Sequence, residues 1–296
     1  MESKETKRIA LFGNLHRTEM ENELLELVQF FHQMNVVVLL DEYLQIYLDE
    51  KFHKSFDRVE LITDDNFSAD LALSIGGDGT FLNTAARVGK KDIPILGINT
   101  GRLGFLADVA KDEIIPALQA IFKHEYTIEK RSVLKLQTLD GSRLDSPYAL
   151  NDIAISKQDS SSMIIVNAYA NGELINIYQA DGLIISTPTG STAYSMSAGG
   201  PIVVPQARSF VISPVASHSL NVRPLIVPDD WEIDLQVISR SNSYLVSIDG
   251  RSKILDHSTR LRLKKADYSI QVLKPLNHTF FETLRNKLLW GADVRN

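Results

Sequence analysis

The chain has 296 residues, 44% hydrophobic and 23% charged, which suits one or two domains with substantial cores and excludes a disordered chain. A formal charge of −6 offers no generic polyanion-binding face, so nucleic acid is not an expected partner. With no cysteine there are no disulfides, thiolate metal sites or thiol nucleophiles, as in a reducing compartment.

Residues 1–7 are short and charged, without the apolar stretch of a signal peptide, and no run of about 18 apolar residues would span a membrane. A cytoplasmic protein with no membrane partner is expected. Residues 9–13 form a short apolar run that suits a buried strand. Thr18 and Glu21 have capping-box spacing, and Met20, Leu24, Leu27, Val28 and Phe31 follow at helical intervals. A second strand is predicted over 36–40, a helix over 43–52 and a third strand over 71–75. A helix carrying Phe81, Leu82, Ala85 and Ala86 follows, then a strand over 93–98. Nearly continuous apolar strands alternating with helices imply a parallel sheet covered on both faces.

The pattern changes after Leu106. One more helix is predicted over 111–124, with Pro116 in its early part. Short strands then dominate, over 133–139, 163–170, 181–186, 233–238, 244–248 and 260–264. Asp140-Gly141, Asn171-Gly172 and Asp249-Gly250 supply turns among them. This is the signature of a mostly antiparallel sandwich or barrel. Residues 280–290 are amphipathic and helical. The expected fold is an α/β N-terminal domain with a Rossmann-like parallel sheet (1–110), a mostly-β C-terminal domain (111–278), and a C-terminal helix (279–296) that packs back on the first domain.

Gly76-Gly77-Asp78-Gly79-Thr80 follows a predicted strand and opens a predicted helix, the place where open α/β sheets bind ligands. Its glycines let backbone approach a ligand, and a helix N-terminus offers unpaired N–H groups to phosphate. No lysine follows, so this is not a P-loop. Leu82 stands where a dinucleotide fingerprint needs its third glycine. What remains is a carboxylate in a phosphate-cradling loop, which is costly unless it handles a proton or a metal ion. The alternative is a tight turn in which Asp78 merely caps the helix.

From Asp181 a buried strand runs into Ser186, Thr187, Pro188, Thr189, Gly190, Ser191, Thr192, Ala193, Tyr194 and Ser195. Hydroxyls and loop N–H groups can bind ribose and phosphate oxygens, and Tyr194 can stack on a base. Ser and Thr equally cap helices, so a plain polar connection is the competing reading. Gly-x-Ser-x-Gly is absent, so Ser191 is not a hydrolase nucleophile. On its own Asn151-Asp152 is more often a turn than a site, and Arg251 with Asp249, near the Asp249-Gly250 turn, is similarly ambiguous. The seven histidines show no metal-ligand spacing, and Asp64-Asp65 and Asp229-Asp230 read as solvated surface.

Together these elements resemble the NAD kinase family over nearly the whole chain. The resemblance rests on Gly76 to Thr80, Asn151-Asp152, residues 181–197 and Gly199-Gly200-Pro201. The first motif alone is shared with lipid kinases and phosphofructokinases, and residues 181–197 single out NAD kinases. The resemblance implies ATP-dependent phosphorylation of NAD to NADP at the adenosine 2′-hydroxyl. Asp78 would be the general base and Gly76, Gly77, Gly79 and Thr80 the phosphate loop. Asn151 and Asp152 would contact the adenosine half and Asp181 the nicotinamide side. Thr192, Ala193, Tyr194, Ser195, Met196 and Ser197 would surround adenine and ribose. Arg251 falls where a polar residue, often glutamine, stands at the nucleotide site, and Asn83 where many members have a basic residue. A divalent ion, expected to be Mg²⁺, would be held mainly by ATP phosphates rather than by a protein cage. A homodimer or homotetramer is implied. The competing functions are a lipid kinase of the diacylglycerol or sphingosine type and a non-enzymatic dinucleotide sensor.

Overall fold

A computed structural model of the chain describes residues 7–13, 21–42, 44–46, 48, 58–101, 103–158, 162–276 and 278–291. Thr18, Met20, His16, His53 and most of the helix expected over 43–52 lie outside these residues. The chain forms two compact units: Met1–Lys130 with Ile270–Asn296, and Arg131–Ser269.

In the first unit five strands pair in parallel: β1 (Arg8–Gly13), β2 (Val37–Asp41), β3 (Val59–Ile62), β4 (Leu71–Gly76) and β5 (Ile95–Asn99). Their spatial order is β5-β4-β1-β2-β3, and the end of the long strand Leu261–Pro275 pairs in parallel on β5 through Val272 and Ile95. All residues of β4 and β5 are buried, as parallel strands covered on both faces require. The helix Glu21–Gln33 places Leu24, Leu27, Phe30 and Phe31 in a core shared with Ala117 and Leu118 of the helix Ile114–Phe122. Phe30 meets Phe122 edge-on at 5.5 Å. Each such buried Leu or Phe side chain contributes roughly 1.5–3 kcal/mol.

Local chemistry reshapes the helix expected over 111–124. A 3₁₀ turn, Lys111–Glu113, precedes the α-helix. Pro116 falls in the first helical turn, where a missing N–H costs little. His124, at φ 63°, ends it. The first unit thus runs to Lys130, beyond the change of pattern that suggested 110, because this helix belongs to the N-terminal core.

The second unit has two antiparallel sheets over one core. One contains Glu173–Ala180, Ile164–Ala170, Ile233–Ile238 and the start of Leu261–Pro275. The other runs Leu225–Pro228, Ser209–Val215, Gly182–Ser186, Asp152–Ser156, Ser243–Ile248, Arg251–Asp256. Alternate residues of Ile164–Ala170 and Ile233–Ile238 are buried, and Val166 and Leu235 share a core with Ile153, Ile185 and Ile212 of the other sheet. Asn171-Gly172 and Asp249-Gly250 make two-residue turns with both φ positive, as tight hairpins require. The strand expected over 260–264 is part of a 15-residue strand. Among the described residues no helix is long and apolar enough to cross a membrane.

Candidate functional site

β4 is driven inside by Leu71, Ala72, Leu73 and Ile75, and ends at Gly76 beside the end of β5, with Gly76 opposite Asn99. The helix Asp78–Val88 starts there, with Gly77 as its N-cap, and Phe81, Thr84, Ala85 and Val88 bury its inner face. Gly77 and Gly79 are exposed, Gly76 is buried, and Thr80 is half-buried.

Asp78 is the first helical residue, and no side chain caps this helix. The capping alternative is thereby corrected: the Asp78 carboxylate turns to the loop that follows β5. Its Oδ2 accepts from the N–H of Phe105 at 3.0 Å, and its Oδ1 from those of Leu106 and Ala107 at 3.0 and 3.1 Å. Lys287 Nζ, from the last turn of the helix Phe280–Leu288, lies 3.3 Å from Oδ2. A Cβ at Gly104 would collide with Oδ1, so glycine is what admits the carboxylate. Burial alone would raise the Asp78 pKa. The Ala107 N–H, the Lys287 ammonium and the Leu106 and Phe105 N–H groups outweigh it and hold the group below the ordinary carboxylate value. The site residue is an ionised, fully oriented carboxylate at a helix N-terminus. Asn83 is exposed on the same helix.

In the second unit, Asn151-Asp152 leads into the buried strand Asp152–Ser156. Asp249, at φ 46° in its hairpin turn, organises this entrance. Its carboxylate accepts from the N–H groups of Leu150, Asn151 and Asp152 at 2.7, 2.9 and 3.1 Å. Burial raises the Asp249 pKa while these bonds and Arg251 oppose the rise. Asp152 is pushed up to about 7, first by burial and then by the neighbouring Asp249 charge, with the Tyr194 N–H favouring the ionised form. Near neutral pH its carboxyl can therefore both donate and accept.

The strand Gly182–Ser186 pairs with Asp152–Ser156 and delivers the hydroxyl-rich segment to the same place. Thr187 Oγ1 donates to Leu150 O at 2.5 Å, and a Cβ on Gly190 would overlap the Asn151 carbonyl. Several hydroxyls are internal braces. Ser191 Oγ donates to Pro188 O and accepts from Val203 N–H, and Ser195 Oγ lies 3.0 Å from Ser213 Oγ. Ser195 is thus buried, whereas Tyr194 and Ser197 are exposed and Thr192, Ala193 and Met196 half-buried. Asp181 is paired with Lys157 at 2.7 Å. Arg251 is exposed, donating to the carbonyls of Ile248 and Tyr148 at 3.3 Å. Among the described residues no group of three acidic or histidine side chains could hold a metal ion.

Sequence reasoning missed the loop 104–107, signalled only by Gly101 and Gly104 after a strand, and missed Lys287, for which no local signal exists. The sequence marks Asp249 as part of a turn and gives no sign that its carboxylate anchors Asn151.

Residues 9–126 match the ATP-NAD kinase N-terminal domain, and residues 150–274 the ATP-NAD kinase C-terminal domain. The chain is 50% identical over 288 residues to a NAD kinase of Bacteroides fragilis, covering 97% of this chain and 99% of that one. It is 43% identical over 295 residues to a NAD kinase of Flavobacterium psychrophilum, covering 98% and 100%. Among solved structures, yeast NADH kinase complexed with NADH superposes with a TM-score of 0.86 at 23% identity, covering 97% of this chain and 89% of that one. An Archaeoglobus fulgidus NAD kinase in complex with ATP gives 0.72 at 25% identity, covering 95% and 98%.

Proposed function

This chain belongs to the NAD kinase family and phosphorylates NAD at the expense of ATP, and from that premise we propose that the acceptor is the 2′-hydroxyl of the adenosine ribose, with Asp78 as general base. The observation that carries this reading is the placement of an ionised carboxylate as the first residue of a helix, in a glycine loop at a parallel-strand end. Phosphate oxygens suit the helix N-terminus and the backbone of Gly76, Gly77, Gly79 and Thr80. Phosphoryl transfer has a loose transition state, so the attacking hydroxyl keeps its proton until late. A carboxylate of low pKa then suffices, because it orients the oxygen first and takes the proton once the new bond has acidified it.

In the second unit, Asn151 and Asp152 would bind the adenosine half, Asp152 using its adaptable carboxyl on ribose hydroxyls. Thr192, Ala193, Tyr194, Met196 and Ser197 would line adenine and ribose, with Ser195 bracing them from inside. Asp181 would meet the nicotinamide side with Lys157 beside it, and Arg251 the nucleotide. A divalent ion, expected to be Mg²⁺, would be held mainly by the ATP phosphates and would supply neutralisation of their charge. We propose a cytoplasmic homodimer or homotetramer.

The test is a coupled assay with purified protein, NAD, ATP and Mg²⁺, the product read by an NADP-specific dehydrogenase. NADP formation is expected. ATP consumption with a phosphorylated dinucleotide that the dehydrogenase rejects would overturn the 2′ assignment.

A further inference from the structure

Asp78 has four donors, and they are not equivalent. Three are backbone N–H groups of consecutive loop residues. That loop is itself fastened: Gly104 N–H donates to Ala107 O at 2.9 Å. The next residue, Asp108, forms a buried ion pair with Lys274 at 2.5 Å. These donors cannot leave without unmaking the loop. The fourth donor, Lys287 Nζ, sits on a flexible side chain. The Lys287 and Asp78 side chains are 29% and 30% exposed, so a ligand reaching the carboxylate also reaches the ammonium. Lys287 Nζ also lies 4.5 Å from the centre of the Phe105 ring, against which Phe280 of the same helix packs at 6.3 Å. The ring already touches the ammonium in this position and can go on holding it when it leaves Oδ2.

Both Lys287 and the Phe105 N–H occupy Oδ2, so an incoming hydroxyl must take the place of one of them. We propose that Lys287 is a positioning residue for the reaction: its ammonium is the exchangeable donor on Asp78, yielding Oδ2 to the acceptor hydroxyl while the three backbone N–H groups keep the carboxylate aimed. This rests on the general-base reading of Asp78. In the reacting complex the hydroxyl donates to Oδ2. Its oxygen forms the new bond to phosphorus, the bond from phosphorus to the leaving oxygen of ADP breaks, ADP keeps the electron pair, and the proton passes to Oδ2. Lys287, released from Oδ2 but still against Phe105, leaves a cation beside the phosphate loop, which carries no lysine of its own. Among the described residues, Lys287 is the charged side chain acting on Asp78, and its other partners are neutral N–H groups.

The experiment compares full-length Lys287→Met, Lys287→Gln and Lys287→Arg with the parent and with Asp78→Asn. It measures kcat and KM against pH, melting temperature, and the Asp78 carboxyl titration by ¹³C NMR. Removing the cation raises the Asp78 pKa. Methionine and glutamine should therefore move both the acidic limb of the rate profile and the NMR titration to higher pH, and lower kcat roughly tenfold or more. Arginine should restore the limb. A folded methionine or glutamine variant with an unmoved limb and parental kcat overturns the proposal. If Asp78→Asn is inactive while these variants match the parent, only the Lys287 role falls. If Asp78→Asn turns over normally, the general-base reading falls and takes the Lys287 role with it.

Discussion

Asp78 and Asp152 are two carboxyl groups sent in opposite directions by their surroundings. Asp78 is held ionised by N–H donors and an ammonium, whereas Asp152 is desolvated beside another acid. Asp78→Asn removes the proton acceptor and turns an amide NH₂ toward donors on one of its two sides. We expect kcat to fall about 10²–10⁴-fold, with NAD affinity by calorimetry changed less than about tenfold. Near-parental turnover in a folded variant would remove Asp78 from the chemistry. For Asp152, the folded pKa of about 7 stands above the ordinary 3.8, so the native state retains a proton that the unfolded chain releases. This contribution to stability is complete below about pH 4 and is lost as pH rises through about 7. Asp152→Asn keeps an acceptor for the Tyr194 N–H and cannot ionise. Melting curves should show it more stable than the parent at pH 8, by an amount on the order of 1–4 kcal/mol, and nearly equal at pH 4. Equal stability at both values would mean that Asp152 is not perturbed.

At the scale of elements, the loop 104–107 is held between a buried ion pair and a docked helix. Lys274→Met leaves Asp108 buried without its partner, and such breaks cost about 3–5 kcal/mol. A matching fall in denaturation midpoint is expected, together with reduced kcat, since the loop aims Asp78. A variant as stable as the parent would show the pair to be dispensable. The helix Phe280–Leu288 begins with Thr279 capping the Glu282 N–H at 3.2 Å and buries Thr283 and Leu284. Deleting residues 279–296 removes that packing and the Phe105 contacts. The truncated protein should melt at lower temperature, and identical melting would show that the helix adds nothing to its unit.

For the whole molecule, substrate choice follows from what the second unit offers. Its entrance exposes Tyr194 and Ser197, with Thr192 half-buried and the Asp152 carboxyl buried, all polar, at the end of strands whose apolar residues point inward. A polar dinucleotide matches such a surface and an acyl chain does not. Activity should appear with NAD and be undetectable with diacylglycerol or sphingosine in mixed micelles. Lipid phosphorylation at a comparable rate would refute the assignment of these residues to a dinucleotide.

The amino-acid sequence by itself determined what depends on neighbours in the chain. Apolar runs at 9–13, 71–75 and 93–98 had to become buried parallel strands, Asn-Gly and Asp-Gly pairs had to turn, and Gly76 to Thr80 had to open a helix. The polar strand Arg251–Asp256 and the strand Asp152–Ser156, whose start reads as a turn, stayed hidden because cross-strand pairing, not propensity, makes them strands. Only the tertiary structure decided which hydroxyls face inward, as at Ser191 and Ser195, and which acid anchors Asn151. It alone decided that Asp78 faces a distant loop rather than its own helix. Lys287 stands 209 residues from Asp78, and no local pattern encodes a contact between side chains so far apart in the chain.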